Sequence, residues 1–245
     1  MTDTRPQLAL LHGFLGFVKC GPFEYFRGVR EMLRRMDIDP LTPKVPGDGT
    51  IAERAEALAH ALFRTRAPAF ALIGHSMGGL DARYLITHLD PDRRVKSLIT
   101  VSTPHHGTPL ARWFLESPGP IEDYIRRIGR TGLGELTVEA RAAMPIPDRE
   151  DVDYSSYSGR RPPAELPFWL HQYGRIIGED NDGMVSVRSA QWGQFRGRMH
   201  ADHIELIGWS VALPNRQTGR PFNYLPFWAR AANEALAVAK QKLQG

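Results

Sequence analysis

The chain has 245 residues, with 31 Lys plus Arg against 27 Asp plus Glu, a net charge of +4. Hydrophobic residues at 42 % and charged residues at 24 % exclude a collagen-like, disordered or disulfide-scaffold protein. The length suits one α/β domain with a sizeable core. No window approaches the ~18 uninterrupted apolar residues of a membrane span. The one cysteine, Cys20, cannot form an internal disulfide. Leu8 to Leu11 is too short for a signal-peptide core, and with Cys20 this sets an expectation of cytoplasmic residence. The basic balance raises nucleic-acid binding, but acidic residues are interleaved throughout. Glu53 and Glu56 sit beside Arg54, and the densest basic runs, such as Arg160-Arg161, are two residues long. The charges therefore read as a solvated surface, with no nucleic-acid partner.

In chain order, Leu8 to Leu11 reads as a buried strand leading into a loop, His12-Gly13-Phe14-Leu15-Gly16. A helical pattern follows, with Pro22 in its first turn and Phe26, Val29, Leu33 and Met36 on one face. After a Pro/Gly-rich connection, Thr50-Ile51-Ala52-Glu53 has capping-box form and opens a helix with Ile51, Ala55, Leu58 and Leu62 on one side. Phe70 to Ile73 is a second strand. A helix runs from Gly78 to about Leu89, where Asp90-Pro91 stops it. Val95 to Val101 is a third strand. Such alternation predicts parallel βαβ units and an α/β fold.

From about 110 to 163 the pattern breaks. Trp113, Phe114, Leu115, Ile121, Tyr124 and Ile125 are scattered through Pro, Gly and Arg, which predicts two or three short helices rather than core strands. Gly174 to Gly178 looks like a returning strand before the acidic turn Glu179 to Gly183. Ile204 to Ile207 is a last apolar run, and Phe227 to Leu243 an amphipathic helix. No linker divides the chain, so residues 1–245 form one domain, with 110–163 as a lid or cap insertion.

Gly74-His75-Ser76-Met77-Gly78 places a serine between a strand and a helix. On that turn the hydroxyl is lifted clear of the sheet, and the glycines let strand and helix backbones approach. The helix N-terminus aims amides, Met77 among them, at an oxyanion forming beside Ser76. Serine needs a base. Of nine histidines, only His200 and His203 follow both a strand and an acidic loop in the order Ser, acid, His. His203, directly before the last apolar run, is the better placed. The acid comes from Asp182, where the chain turns at Gly183, with Asp180 as the alternative. The Phe14 amide is the second oxyanion donor, and Gly13 lets its loop pass close to the substrate.

His12-Gly13-Phe14, Gly74 to Leu80, Ser102-Thr-Pro-His-His-Gly107, Tyr154 to Gly159, Asn181-Asp-Gly183 and Asp202-His203 together resemble the bacterial triacylglycerol lipase family of α/β-hydrolases, in order and spacing over nearly the whole chain. The resemblance implies a mostly parallel sheet with helices on both faces and a helical lid. It implies carboxylic-ester hydrolysis through an acyl-enzyme, with Ser76 as nucleophile, Asp182 as acid, His203 as base, and Phe14 and Met77 as oxyanion donors. No cofactor is implied. The substrate would be a small-molecule or lipid ester, met in transient contact with a lipid surface. Some relatives bind calcium through an Asp two residues beyond the histidine. Glu205 stands there, and no metal is expected. The pair His105-His106 lacks a second pair at ligand spacing and reads as structural. An acyltransferase, thioesterase or amidase on the same triad is the alternative, and a non-catalytic binding protein on this fold the second.

Overall fold

The computed structural model describes residues 5–16, 19–20, 23–209 and 222–244. Strand β1 (Gln7–Leu11) is followed by a short hairpin, β2 (Lys19–Cys20) and β3 (Phe23–Glu24). Helix α1 (Val29–Arg34) buries Val29 and Leu33, but Met36 falls beyond its end and is exposed. Pro22, expected in the first turn, lies outside the described residues. The Thr50 capping box forms in full and opens α2 (Ile51–Phe63), with Ile51, Ala55, Leu58 and Leu62 buried as their spacing requires. Strand β4 (Phe70–His75) leads through Ser76 into α3 (Met77–Tyr84), which continues as a wider π-helical turn, Leu85–Leu89, before β5 (Val95–Val101).

The irregular stretch supplies α4 (Pro109–Glu116), α5 (Pro120–Glu135) and α6 (Val138–Ala143). It also supplies what periodicity did not predict, a core strand, β6 (Asp153–Gly159). Its sequence, Asp-Tyr-Ser-Ser-Tyr-Ser-Gly, has no apolar run. Serine is tolerated in mid-sheet where its hydroxyl finds backbone partners. Ser156 Oγ donates to the Trp192 carbonyl at 2.7 Å and accepts from the Trp192 N–H at 2.9 Å.

The expected strand at Gly174 to Gly178 is instead the end of α7 (Phe168–Ile177). Leu170, Tyr173 and Ile177 are buried at helical spacing, and Gly178 closes the helix in the left-handed region at φ 74°. The glycines that resembled strand boundaries are a helix interior and a helix cap. After α8 (Val187–Ala190), β7 (Gln194–Met199) forms the sheet edge, exposed and half-buried residues alternating. The last apolar run, Ile204 to Ile207, leads into and forms a 3₁₀ turn, Glu205–Ile207. Helix α9 (Tyr224–Gln244) ends the described chain.

The five-stranded sheet runs β1-β4-β5-β6-β7, every pair parallel. Alternate side chains face opposite layers. Leu8, Leu10, Ala71, Ile73 and Ile99 pack with Val29 and Leu33 of α1 and with Trp228, Ala231 and Ala235 of α9. Ala9, Leu11, Leu72 and Leu98 pack with Leu58 and Leu62 of α2 and Ala82 of α3. A third cluster joins α4, α5 and α7 to Met77 and Leu80 of α3 through Leu110, Phe114, Leu133, Leu170 and Tyr173. The helices of the irregular stretch thus sit over the elbow that carries Ser76.

Candidate active site

Ser76 has φ 55° and ψ −133°, a conformation L-residues rarely adopt. The surroundings hold it there. Its N–H donates to the Val101 carbonyl at 2.9 Å, and its carbonyl accepts from Thr103 Oγ1 at 2.8 Å. A Cβ on Gly74 would sit 2.6 Å from the Gly79 nitrogen, and one on Gly78 2.5 Å from the Leu11 carbonyl oxygen, so the turn closes only with glycine at both positions.

His203 Nδ1 lies 2.7 Å from Asp182 Oδ2, and both side chains are buried. The other carboxylate oxygen, Oδ1, accepts from the N–H groups of Met184 (3.0 Å) and Val185 (2.7 Å). The His203 N–H also donates to the Asp182 carbonyl at 2.9 Å, so the two loops are joined twice. A carboxylate on Nδ1 fixes the Nδ1–H tautomer and leaves Nε2 free to accept a proton. The ring of His75, next to Ser76, lies 4.5 Å from that of His203, which makes the serine and histidine loops neighbours.

The alternatives lie elsewhere. Asp180 is half-exposed and pairs with Arg160 at 3.0 Å and Arg198 at 3.2 Å. His200, the other histidine in the required order, is partly buried and bonds Glu165 through Nε2 at 2.7 Å. His105 is buried, with Nε2 3.0 Å from Thr100 Oγ1 and its ring stacked on Trp192.

The loop after β1 runs against Ser76. A Cβ on Gly13 would be 2.7 Å from Ser76 Cβ, so the backbone comes as close as chain can. Arg54 Nη2 donates to the carbonyls of His12 (3.0 Å) and Gly13 (3.2 Å). In a trans peptide C=O and N–H point opposite ways. Pinning the Gly13 carbonyl on Arg54 therefore orients the Phe14 N–H away from it, and that N–H meets no acceptor among the described residues. Met77, as the first residue of α3, has an N–H with no intrahelical acceptor. The Phe14 ring packs against Gly129 and Gly132 of α5, beside the kink at Gly129.

A strained serine on a strand-to-helix turn, a buried His-Asp pair and two free amides can be compared with known proteins. Residues 59–117 match the family described as a PGAP1-like alpha/beta domain. Triacylglycerol lipase 2 of Saccharomyces cerevisiae is 32 % identical over 210 residues, covering 78 % of this chain and 64 % of that protein. A triacylglycerol lipase of Pseudomonas fragi is 32 % identical over 113 residues, covering 44 % of this chain and 38 % of its own length. The fold superposes on Staphylococcus hyicus lipase with a TM-score of 0.73 at 18 % identity, covering 98 % and 97 % of the two chains. The chain is thus similar in sequence to triacylglycerol lipases and shares the fold of a solved lipase. It spans less than two thirds of the length of these curated relatives.

Two residues that read from sequence as solvated surface charge are buried. Arg54 is fully buried and pairs with Asp81 at 2.8 Å while bracing the Gly13 loop. Its place three residues after Ile51 and one before Ala55, on the apolar face of α2, was the available signal. Arg161 is also buried and grips both oxygens of Glu205, at 2.6 and 2.7 Å. Glu205 Oε2 accepts from the Asp202 N–H, so this ion pair anchors the loop that carries His203.

The buried histidines make the stability of the protein depend on pH. Burial lowers His12 to about 4 and holds His75 and His105 well below the usual imidazole range. Unfolded, each titrates near ~6.5. Between those values the unfolded chain binds protons that the native chain does not, so stability falls as pH falls. Asp81 and Asp202 oppose this. Burial raises both to about 6, so below that pH the native state takes up protons first and the loss is partly offset. The melting temperature is expected to drop as pH falls below ~6.5, most steeply before the aspartates respond. A temperature that is flat or rising from pH 7 to 6 would contradict the assignment.

Proposed function

We propose that the protein hydrolyses carboxylic esters, with lipid esters as its substrate class. The observation that carries this reading is the buried His203–Asp182 hydrogen bond beside the strained Ser76 turn. Ser76 Oγ attacks the ester carbonyl carbon while His203 Nε2 takes the hydroxyl proton. Asp182 stabilises the imidazolium, and the Phe14 and Met77 N–H groups hold the negative oxygen. The tetrahedral species collapses, the C–O bond to the alcohol breaks, and His203 returns its proton to the departing alkoxide. Water, deprotonated by His203, then attacks the acyl-serine and frees the acid.

The cap reading belongs to the same proposal. Helix α5 packs on Phe14 yet presents Ile121, Tyr124 and Ile128 to solvent at helical spacing, next to exposed Arg127 and Arg130. An apolar ridge with cations beside it suits a lipid surface. The test is initial rates on a p-nitrophenyl ester series, below and above each ester's solubility, with and without a fluorophosphonate. The expected result is hydrolysis that steps upward on emulsified long-chain ester and is lost as one fluorophosphonate is incorporated per chain, on the Ser76 peptide. Smooth saturation across the solubility limit would sink the surface reading. Failure to label would sink the hydrolase reading.

A further inference from the structure

Partly buried Tyr25 and buried His75 are polar groups with no part in the chemistry above. The Gly13 N–H donates to the Tyr25 hydroxyl oxygen at 3.0 Å. That oxygen lies 2.8 Å from His75 Nδ1. A phenol carries one proton, and burial holds the Tyr25 hydroxyl well above its ordinary range, so it stays neutral. Among the described residues Nδ1 is the acceptor within reach of the Tyr25 O–H, so the hydroxyl donates to it and the His75 proton is on Nε2. Burial, with His203 nearby, keeps His75 from taking a second proton. The Nε2–H is itself buried and meets no hydrogen-bond partner among the described residues. The link onward is the contact of the His75 ring with that of His203, centroids 4.5 Å apart.

One relay therefore runs from the oxyanion loop through Tyr25 and His75 to the loop of His203. We propose that Tyr25 and His75 are positioning residues that hold the Phe14 amide and the His203 imidazole in fixed relation across Ser76. Arg54 pins the carbonyl side of Gly13 and Tyr25 pins its N–H. With both ends of a glycine fixed, the following N–H has little freedom left. Without Tyr25 only the carbonyl side is held. The proposal rests on the reading of Ser76 as nucleophile and Phe14 as oxyanion donor.

The experiment replaces Tyr25 by Phe, which removes one oxygen and keeps the ring packed edge-on against Phe26. Two quantities are compared with wild type. One is kcat and KM on a soluble p-nitrophenyl ester. The other is Ki for a trifluoromethyl ketone of the same acyl length, which adds Ser76 Oγ to its carbonyl carbon and places the resulting oxyanion at the two amides. The expected result is a ~10- to 100-fold fall in kcat with KM within about twofold, and a Ki raised by a similar factor. Inhibition by the product carboxylic acid, which forms no tetrahedral oxyanion, should not move. His75→Gln should show the same pattern, and the double variant should lose no more than the worse single one. A folded Tyr25→Phe with unchanged ketone Ki, or two fully additive losses, would overturn the proposal. If Tyr25→Phe does not fold, His75→Gln decides by the same two quantities. Fluorophosphonate labelling of wild type separates the levels: an unlabelled wild type fails the hydrolase reading, whereas a labelled wild type with unaffected variants fails the relay alone.

Discussion

Ser76→Ala is expected to lower kcat on a p-nitrophenyl ester by ~10⁵- to 10⁶-fold, with the ester still bound. On the proposed mechanism the substitution removes the oxygen that forms the acyl bond. It leaves the Phe14 and Met77 amides in place, so the residual rate is what the oxyanion donors and binding supply without covalent catalysis. The same position yields a structural readout. Serine and alanine both carry a Cβ at φ 55°, and non-glycine residues in such regions cost about 1–3 kcal/mol. Ser76→Gly should relieve that strain against a glycine entropy cost of about 0.5–1 kcal/mol. It should therefore melt above Ser76→Ala while being equally inactive. A Ser76→Ala enzyme keeping more than about a hundredth of its kcat would remove Ser76 from the nucleophile role. A Ser76→Gly protein that melts below Ser76→Ala would show that the turn is not strained.

Asp182→Asn should cost ~10⁴-fold in kcat, whereas Asp180→Asn should change it by less than about twofold. The geometry gives the reason. Asp182 Oδ1 accepts two backbone N–H groups, from Met184 and Val185. An asparagine there must keep its carbonyl oxygen on those donors, which turns its NH₂ toward His203 Nδ1. Two donors cannot face each other, so His203 is driven to the Nε2–H tautomer and Nε2 can no longer accept the serine proton. The fold survives, because both N–H groups remain satisfied. Asp180 instead faces Arg160 and Arg198 at the surface, where losing an ion pair costs little. Kinetics on the two variants, each checked for an unchanged far-ultraviolet spectrum, decide the matter. A tenfold or smaller loss in Asp182→Asn would break the argument, as would a large one in Asp180→Asn.

Much of this site could be read locally. The strand, glycine and helix-start signals around Ser76 lie within a few residues of it, and the turn they predict is the turn observed. The capping box of α2 and the apolar spacing that follows it are likewise short-range. The misread segments fail for a common reason. β6 is a core strand without an apolar run, because it pairs with β5 and β7 on either side and the Trp192 backbone satisfies Ser156. α7 ends in a Gly-bounded Ile-Ile pair that looks like a strand until Leu170 and Tyr173 are seen buried beneath α4 and α5. Tyr25 gave no signal at all, since its partners are Gly13 and a histidine 50 positions away.

Sequence alone determined the fold class and the order of serine, acidic turn and histidine along the chain. Those properties follow from steric limits and periodicity acting over one turn or one strand. Tertiary structure decided which of the two aspartates meets His203. It also decided that Arg54 and Arg161 are buried braces rather than surface charge. Arg54 finds Asp81 27 positions away and Arg161 finds Glu205 44 positions away. A charge is worth burying only when its partner arrives, and the partner arrives only when the chain has folded.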